Sequence, residues 1–195
     1  SPFLFTADHY GRLIPKPLGD LGLPESELIR HIGWDIGIAG FAEQLSNLLD
    51  VHLIAQRYSR LVIDCNRPPG VPSSIPLLSE ATTIPGNDGL SRQDRETRRR
   101  QIFDPYHRRI QDVIERRLSE NRPTILVALH SFTPVYAGVA RPWHIGTLHR
   151  LDKILLPLLL SALRAEGDLV VGPPHHQLRL GILEHQAHVP RHLSR

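Results

Sequence analysis

At 195 residues the chain is long enough for one domain with a real hydrophobic core. Its 41% apolar composition excludes compositional disorder, and its longest aliphatic run, Ile154 to Leu160, is too short and proline-broken for a membrane span of about 20 residues. The net charge of +3 comes almost wholly from arginine, whose planar fork suits carboxylates or phosphates, although a GC-rich coding sequence is the better account of that bias.

Pro2 to Thr6 reads as a short buried strand that delivers Asp8 and His9 at its C-terminal end. Pro24, followed by Glu25, Ser26 and Glu27, is a helix start. From Asp35 to Leu49 the apolar residues Ile38, Ala42, Leu45 and Leu49 recur at helical spacing. Val51–Ala55 and Leu61–Ile63 read as two strands, the second running into Asp64-Cys65-Asn66-Arg67. The Pro/Ser/Thr/Gly-rich segment from Pro68 to Leu90 reads as a long loop of the functional or disordered kind. Ser91 with Asp94 forms a capping-box pattern, and the polar stretch to Glu120 reads as two helices separated near Pro105. Thr124–Leu129 is the clearest strand and runs into His130-Ser131-Phe132. A helix from Leu151 to Glu166, bent at Pro157, and a last buried strand at Leu169–Val171 complete the reading. Apolar strands separated by helices predict an α/β sheet covered on both faces.

Ligand sites in such sheets gather beyond the carboxyl ends of strands. Asp8-His9, Asp64-Asn66-Arg67 and His130-Ser131 all fall there, which predicts one shared site. A hydrolytic zinc takes about three His, Asp or Glu ligands and keeps one position open. His9 and His130 are the first candidates by position, among twelve histidines. Asp35, in His31-Ile-Gly-Trp-Asp35, is the candidate third ligand; it can equally be a helix N-cap, and His31 is held in reserve. Asn66 and Arg67 present donors that match a substrate carboxylate, unless Arg67 instead partners Asp64.

Thr6-Ala-Asp-His9, His31-Ile-Gly-Trp-Asp-Ile-Gly37, Tyr58-Ser-Arg-Leu-Val-Ile-Asp-Cys-Asn-Arg67, His130-Ser-Phe-Thr-Pro134 and Arg141-Pro-Trp-His-Ile-Gly146 occur in this order. Together, over residues 2 to 172, they resemble the N-formylglutamate amidohydrolase family, which is similar to zinc carboxypeptidases and aspartoacylases. The resemblance implies a three-layer sandwich of zinc-exopeptidase type, a central mixed β-sheet flanked by helices, and one zinc held by His9, Asp35 and His130. It further implies Arg67 as carboxylate clamp, Arg141 as a second polar contact, and hydrolysis of an N-acyl amide such as N-formyl-L-glutamate. Residues 1–195 then form a single amidohydrolase-like domain whose partner is a small N-acyl amino acid. The segment 173–195 departs from the family pattern, as a divergent or frame-shifted end that omits a recognisable catalytic Glu. Glu184, the only carboxylate in that segment, reads as a solvated residue.

Three rival readings follow from other residues. Cys65 could act as a nucleophile with His130 as base. Without the acid–base residue, the protein could bind zinc and a carboxylate ligand without turnover. Arg98-Arg99-Arg100, Arg108-Arg109 and Arg116-Arg117 suggest nucleic acid, but interspersed acids make a solvated helix face the better account, so no nucleic-acid partner is expected. A lone cysteine, no leader pattern and no membrane segment together predict a cytoplasmic location.

Overall fold

Phe3–Ala7 (β1) is hydrophobic on both faces, with Leu4 and Ala7 fully buried and Phe5 and Thr6 nearly so, as a central parallel strand requires. In the computed structural model, which describes residues 1–136, 138–148 and 154–172, it is the middle strand of a three-stranded sheet. Glu25–Leu28 (α1) and Ile38–Leu49 (α2) form the crossover to His52–Ala55 (β2), which pairs parallel to β1 with Leu4 opposite His52. The excursion from Ala55 contains a short ribbon of Leu78–Ser79 (β3) and Thr82–Thr83 (β4), then Arg92–Arg98 (α3) and Asp104–Ser119 (α4). It returns as Ile125–Ala128 (β5), parallel to the other side of β1 with Phe3 opposite Ile125. The result is an α/β arrangement with a small parallel sheet and flanking helices. A mixed sheet was the expectation; every strand joined to β1 among the described residues runs parallel.

The described residues fall into two compact units, Ser1–Ser131 and a second within Phe132–Leu180. The second contains the ribbon Val135–Tyr136 (β6) and Val139–Ala140 (β7), and the helix Leu155–Ala165 (α5). The expected strand at Leu169–Val171 is reduced to one bridge, Ile145 with Val171, with the Val170 carbonyl accepting the His144 N–H at 2.8 Å. Pro157 lies in the first turn of α5, where its missing N–H costs nothing, so it starts the helix rather than bending it. Residues 151–153 and 173–195, including Glu184, lie outside the described residues. Among the described residues no helix is long and apolar enough to cross a membrane.

The predicted strand at Leu61–Ile63 does not form, although all three side chains are buried. Side chains satisfy its backbone in place of a neighbouring strand. Asn87 Nδ2 donates to the Leu61 carbonyl at 2.8 Å and to that of Pro76 at 2.7 Å. Arg98 Nη1 donates to the Val62 carbonyl at 3.0 Å and to Asn87 Oδ1 at 2.6 Å. The Pro68–Leu90 segment is therefore an ordered loop closed by a fully buried Asn87.

The two helices expected around Pro105 are one helical rod with a wide turn. Arg99–Phe103 is a π turn in which Asp104 N–H donates to the Arg99 carbonyl. That spacing relieves the proline, whose ring would clash with the carbonyl four residues back. The capping box of Ser91 and Asp94 is present. α2 begins at Ile38 rather than Asp35, because Gly37 holds the left-handed conformation at φ 80°. Ile38 and Ala42 are buried as the periodicity predicts, whereas Leu49 is half exposed at the helix end.

Replacing Asn87 with Ala removes the donor to the buried Leu61 carbonyl and the part-buried Pro76 carbonyl and one of the three acceptors of Arg98, at about 1–3 kcal/mol for each group left unsatisfied. Urea unfolding of Asn87→Ala should show a loss of roughly 2–4 kcal/mol, against under about 0.5 kcal/mol for Leu48→Ala on the exposed face of α2. Equal losses would remove Asn87 as the tie that replaces the strand.

Candidate functional site

Because β1 and β5 are parallel and in register, the residues after them leave the sheet at the same end. His9 and His130 emerge side by side, with ring centroids 5.1 Å apart. Asp35 joins them through the loop before α2, its backbone N–H bonded to the His9 carbonyl at 2.9 Å. Its Oδ2 lies 3.0 Å from His130 Nδ1 and its Oδ1 lies 3.6 Å from His9 Nδ1. One donor atom from each of His9, Asp35 and His130 lies within 4.8 Å of the other two. Gly11 lets the segment after His9 run tight against the segment after β2, since a Cβ there would sit 2.1 Å from the Arg57 carbonyl oxygen.

Each imidazole also meets a second carboxylate through its far nitrogen. His9 Nε2 is 2.7 Å from Asp64 Oδ1, which also accepts the Asn66 N–H at 2.8 Å. His130 Nε2 is 3.6 Å from Asp8 Oδ2, while Asp8 Oδ1 accepts the Tyr106 hydroxyl at 2.5 Å. Arg60 Nη2 bonds Asp35 Oδ1, and Ser131 N–H donates to Asp35 Oδ2 at 3.2 Å.

Burial alone would raise the Asp35 carboxyl, but hydrogen bonds from His130 and His9 and the Arg60 charge outweigh it and hold it far below the usual carboxylate range. Asp8 and Asp64 are lowered in the same way: burial opposes, and His130 with Tyr106, or His9, prevails. For His130 burial would favour the neutral ring, yet Asp35 and Asp8 raise it to about 9.

Two imidazoles and a carboxylate that converge at the sheet's end, His9 and Asp35 buried and His130 exposed, are the donor types of a hydrolytic metal site. Asp64 on the far nitrogen of His9 is the outer-shell carboxylate that such a ligand usually carries. Asp8, Asp35 and Asp64 together bring more negative charge than Arg60 and Arg67 offset, which suits a dication. The residues present therefore fit a divalent metal.

Asn66 and Arg67 adjoin this cluster through Asp64, although they leave a turn rather than a strand. Arg67 Nη1 donates to the Asn66 carbonyl at 2.8 Å, and among the described residues no carboxylate pairs with Arg67. His31 is turned elsewhere, with Nε2 2.9 Å from Glu80 Oε1. Asp35 is not the N-cap of α2; Gly37 is. Arg141 belongs to the second unit, where its guanidinium lies 5.4 Å from the Phe132 ring and 5.1 Å from that of Tyr136.

Cys65 does not suit nucleophilic chemistry. It is 1% exposed, burial pushes its thiol well above the ordinary value, and Asp8 and Asp64 push it further. Two arginines of the charge runs turn inward: Arg98 as above, and Arg117, whose Nη1 donates to the carbonyls of Pro2 at 3.2 Å and Phe3 at 2.9 Å. Arg99 pairs with Glu96 and Asp104.

Sequence reasoning missed Arg60, Tyr106 and the partnerships of Asp8 and Asp64. Arg60 stands inside the Tyr58–Arg67 motif, which was its only signal; Tyr106 lies 98 positions from Asp8, where no spacing rule reaches.

The family model described as N-formylglutamate amidohydrolase matches residues 1–193. The crystal structure of a gene product from Agrobacterium tumefaciens is similar, at 39% identity and a TM-score of 0.84, over 87% of this chain and 67% of that one. Comparison with curated proteins finds no match.

A divalent ion at His130 must displace its proton. Affinity for zinc should therefore climb about tenfold per pH unit from pH 7 and level off near pH 9, with proton release visible by calorimetry in buffers of different ionisation enthalpy. A flat affinity across that range would exclude His130 as a ligand. Cys65→Ser should keep the hydrolytic activity of the unaltered protein within about threefold, and its loss in a folded protein would restore the thiol reading.

Proposed function

Since the chain belongs to the N-formylglutamate amidohydrolase family, we propose that it hydrolyses the amide bond of an N-acyl amino acid, N-formyl-L-glutamate or a near analogue, with one zinc ion. The convergence of His9, Asp35 and His130 carries this reading. When bound there, zinc supplies Lewis-acid polarisation and acidifies water to a pKa of about 7.

The remaining work falls to the chain's own residues. Arg67, with Asn66, grips the substrate carboxylate; among the described residues its guanidinium makes no salt bridge, which leaves the fork available. Arg141 is assigned a second polar contact with the substrate. Asp64 holds the His9 ring in one tautomer. Arg60 keeps a half-buried cation beside Asp35, and this positive charge favours negative charge as it develops at the site. Water is split so that hydroxide adds to the acyl carbon and a proton reaches the leaving nitrogen, giving formate and glutamate. No residue is assigned to moving this proton: the family pattern supplies a Glu after the strand that ends near Gly172, and residues 173–195 carry no counterpart of it.

The same reading takes residues 1–195 as one catalytic domain of three-layer, zinc-exopeptidase type, a span supported by the family match over 1–193. A cytoplasmic setting, in which the lone Cys65 stays reduced, belongs to it as well.

The protein purified from a sequence-verified gene without added metal should carry close to one zinc per chain, lost in His9→Ala and His130→Ala. Zinc-loaded enzyme should release formate from N-formyl-L-glutamate, and Arg67→Ala should raise KM roughly 10- to 100-fold with little change in kcat. Folded protein without zinc would end the metallohydrolase reading. Zinc and substrate binding without product would leave ligand capture as the function.

A further inference from the structure

Both histidines of the cluster are oriented alike. Each turns Nδ1 toward Asp35 and Nε2 toward a carboxylate, Asp64 behind His9 and Asp8 behind His130. Asp64 is fixed by the Asn66 N–H. Asp8 is fixed from another part of the chain, by the hydroxyl of Tyr106 in the first turn of α4. Tyr106 is 6% exposed, and a phenol so deeply buried must place its hydroxyl against a partner.

The phase of α4 explains how it reaches that partner. The π turn at Arg99–Phe103 adds one residue to the helix just before Pro105. Without that extra residue, Tyr106 would be rotated by about 100° around the helix axis, away from Asp8.

We infer that Asp8, held by Tyr106, is a positioning residue that fixes the ring orientation and tautomer of His130 for metal binding. Asp8 Oδ2 faces Nε2 at 3.6 Å, so its charge favours the proton on that nitrogen and leaves the Nδ1 lone pair turned inward. This inference rests on the proposed metal site and adds a pair of residues to it.

The test is zinc affinity by chelator competition, with thermal unfolding of the metal-free proteins alongside. Asp8→Ala should weaken zinc binding 10- to 100-fold, the usual effect of losing an outer-shell partner, and Tyr106→Phe should weaken it severalfold. Asp8→Asn keeps an acceptor oxygen and should fall between wild type and Asp8→Ala. The visible spectrum of the cobalt-substituted protein should change in Asp8→Ala and Tyr106→Phe. Ile110→Val, which loosens the buried face of α4 without touching Asp8, should leave zinc affinity and the cobalt spectrum unchanged. Wild-type zinc binding together with unaltered Asp8→Asn and Tyr106→Phe variants would overturn this inference alone. A wild-type chain that binds no zinc would overturn the metal site and this inference together.

Discussion

A carboxylate cannot be buried as deeply as Asp35, 6% exposed, unless its oxygens are satisfied, because desolvation would otherwise protonate it or unfold its surroundings. The groups that satisfy Asp35 come from every part of the first unit. His9 follows β1, Arg60 follows β2, and His130 and Ser131 follow β5. The site is thus the point at which the three parallel strands are tied together at their carboxyl ends. Loosening any of these contacts would cost the fold as well as the chemistry, since an uncompensated buried charge is among the most expensive defects a protein can carry.

A second layer holds the first. Asp64 and Asp8 back the two imidazoles, and each is anchored outside the sheet, by the Asn66 N–H and by Tyr106 respectively. Arginine does comparable work away from the site. Arg98 and Arg117 direct their donors to backbone carbonyls, closing the Pro68–Leu90 loop and docking α4 onto the start of β1. Of the arginines in the basic runs these two turn inward, while Arg100, Arg108, Arg109 and Arg116 stay exposed. The inward two stand apart, as structural arginines, from Arg67, whose guanidinium donates to the carbonyl of its neighbour Asn66.

The sequence anticipated the site unevenly. His9 and His130 were legible because a strand has a fixed exit, and a residue two places beyond it must lie at the sheet's end. Asp35 was open between ligand and N-cap until Gly37, at φ 80°, was seen to start α2. His31, four residues earlier, could not be distinguished from Asp35 by spacing, and only its pairing with Glu80 removes it from the cluster. Leu61–Ile63 was read as a strand because buried apolar runs look alike whether a strand or side chains satisfy their backbone. Here Asn87 and Arg98 do so, from 26 and 36 positions away.

By itself, the sequence determined the α/β class, the two strands that frame the site, the capping box at Ser91, and the family to which its motifs point, because each depends on local periodicity or short-range order. Tertiary structure alone decided that the sheet around β1 is parallel, that Arg60 reaches Asp35, that Tyr106 reaches Asp8, and that Cys65 is buried beyond reactive use. These are contacts between segments far apart in the chain. They are selected by which buried charges and donors can be satisfied together, and that is a property of the packed whole rather than of any stretch of residues.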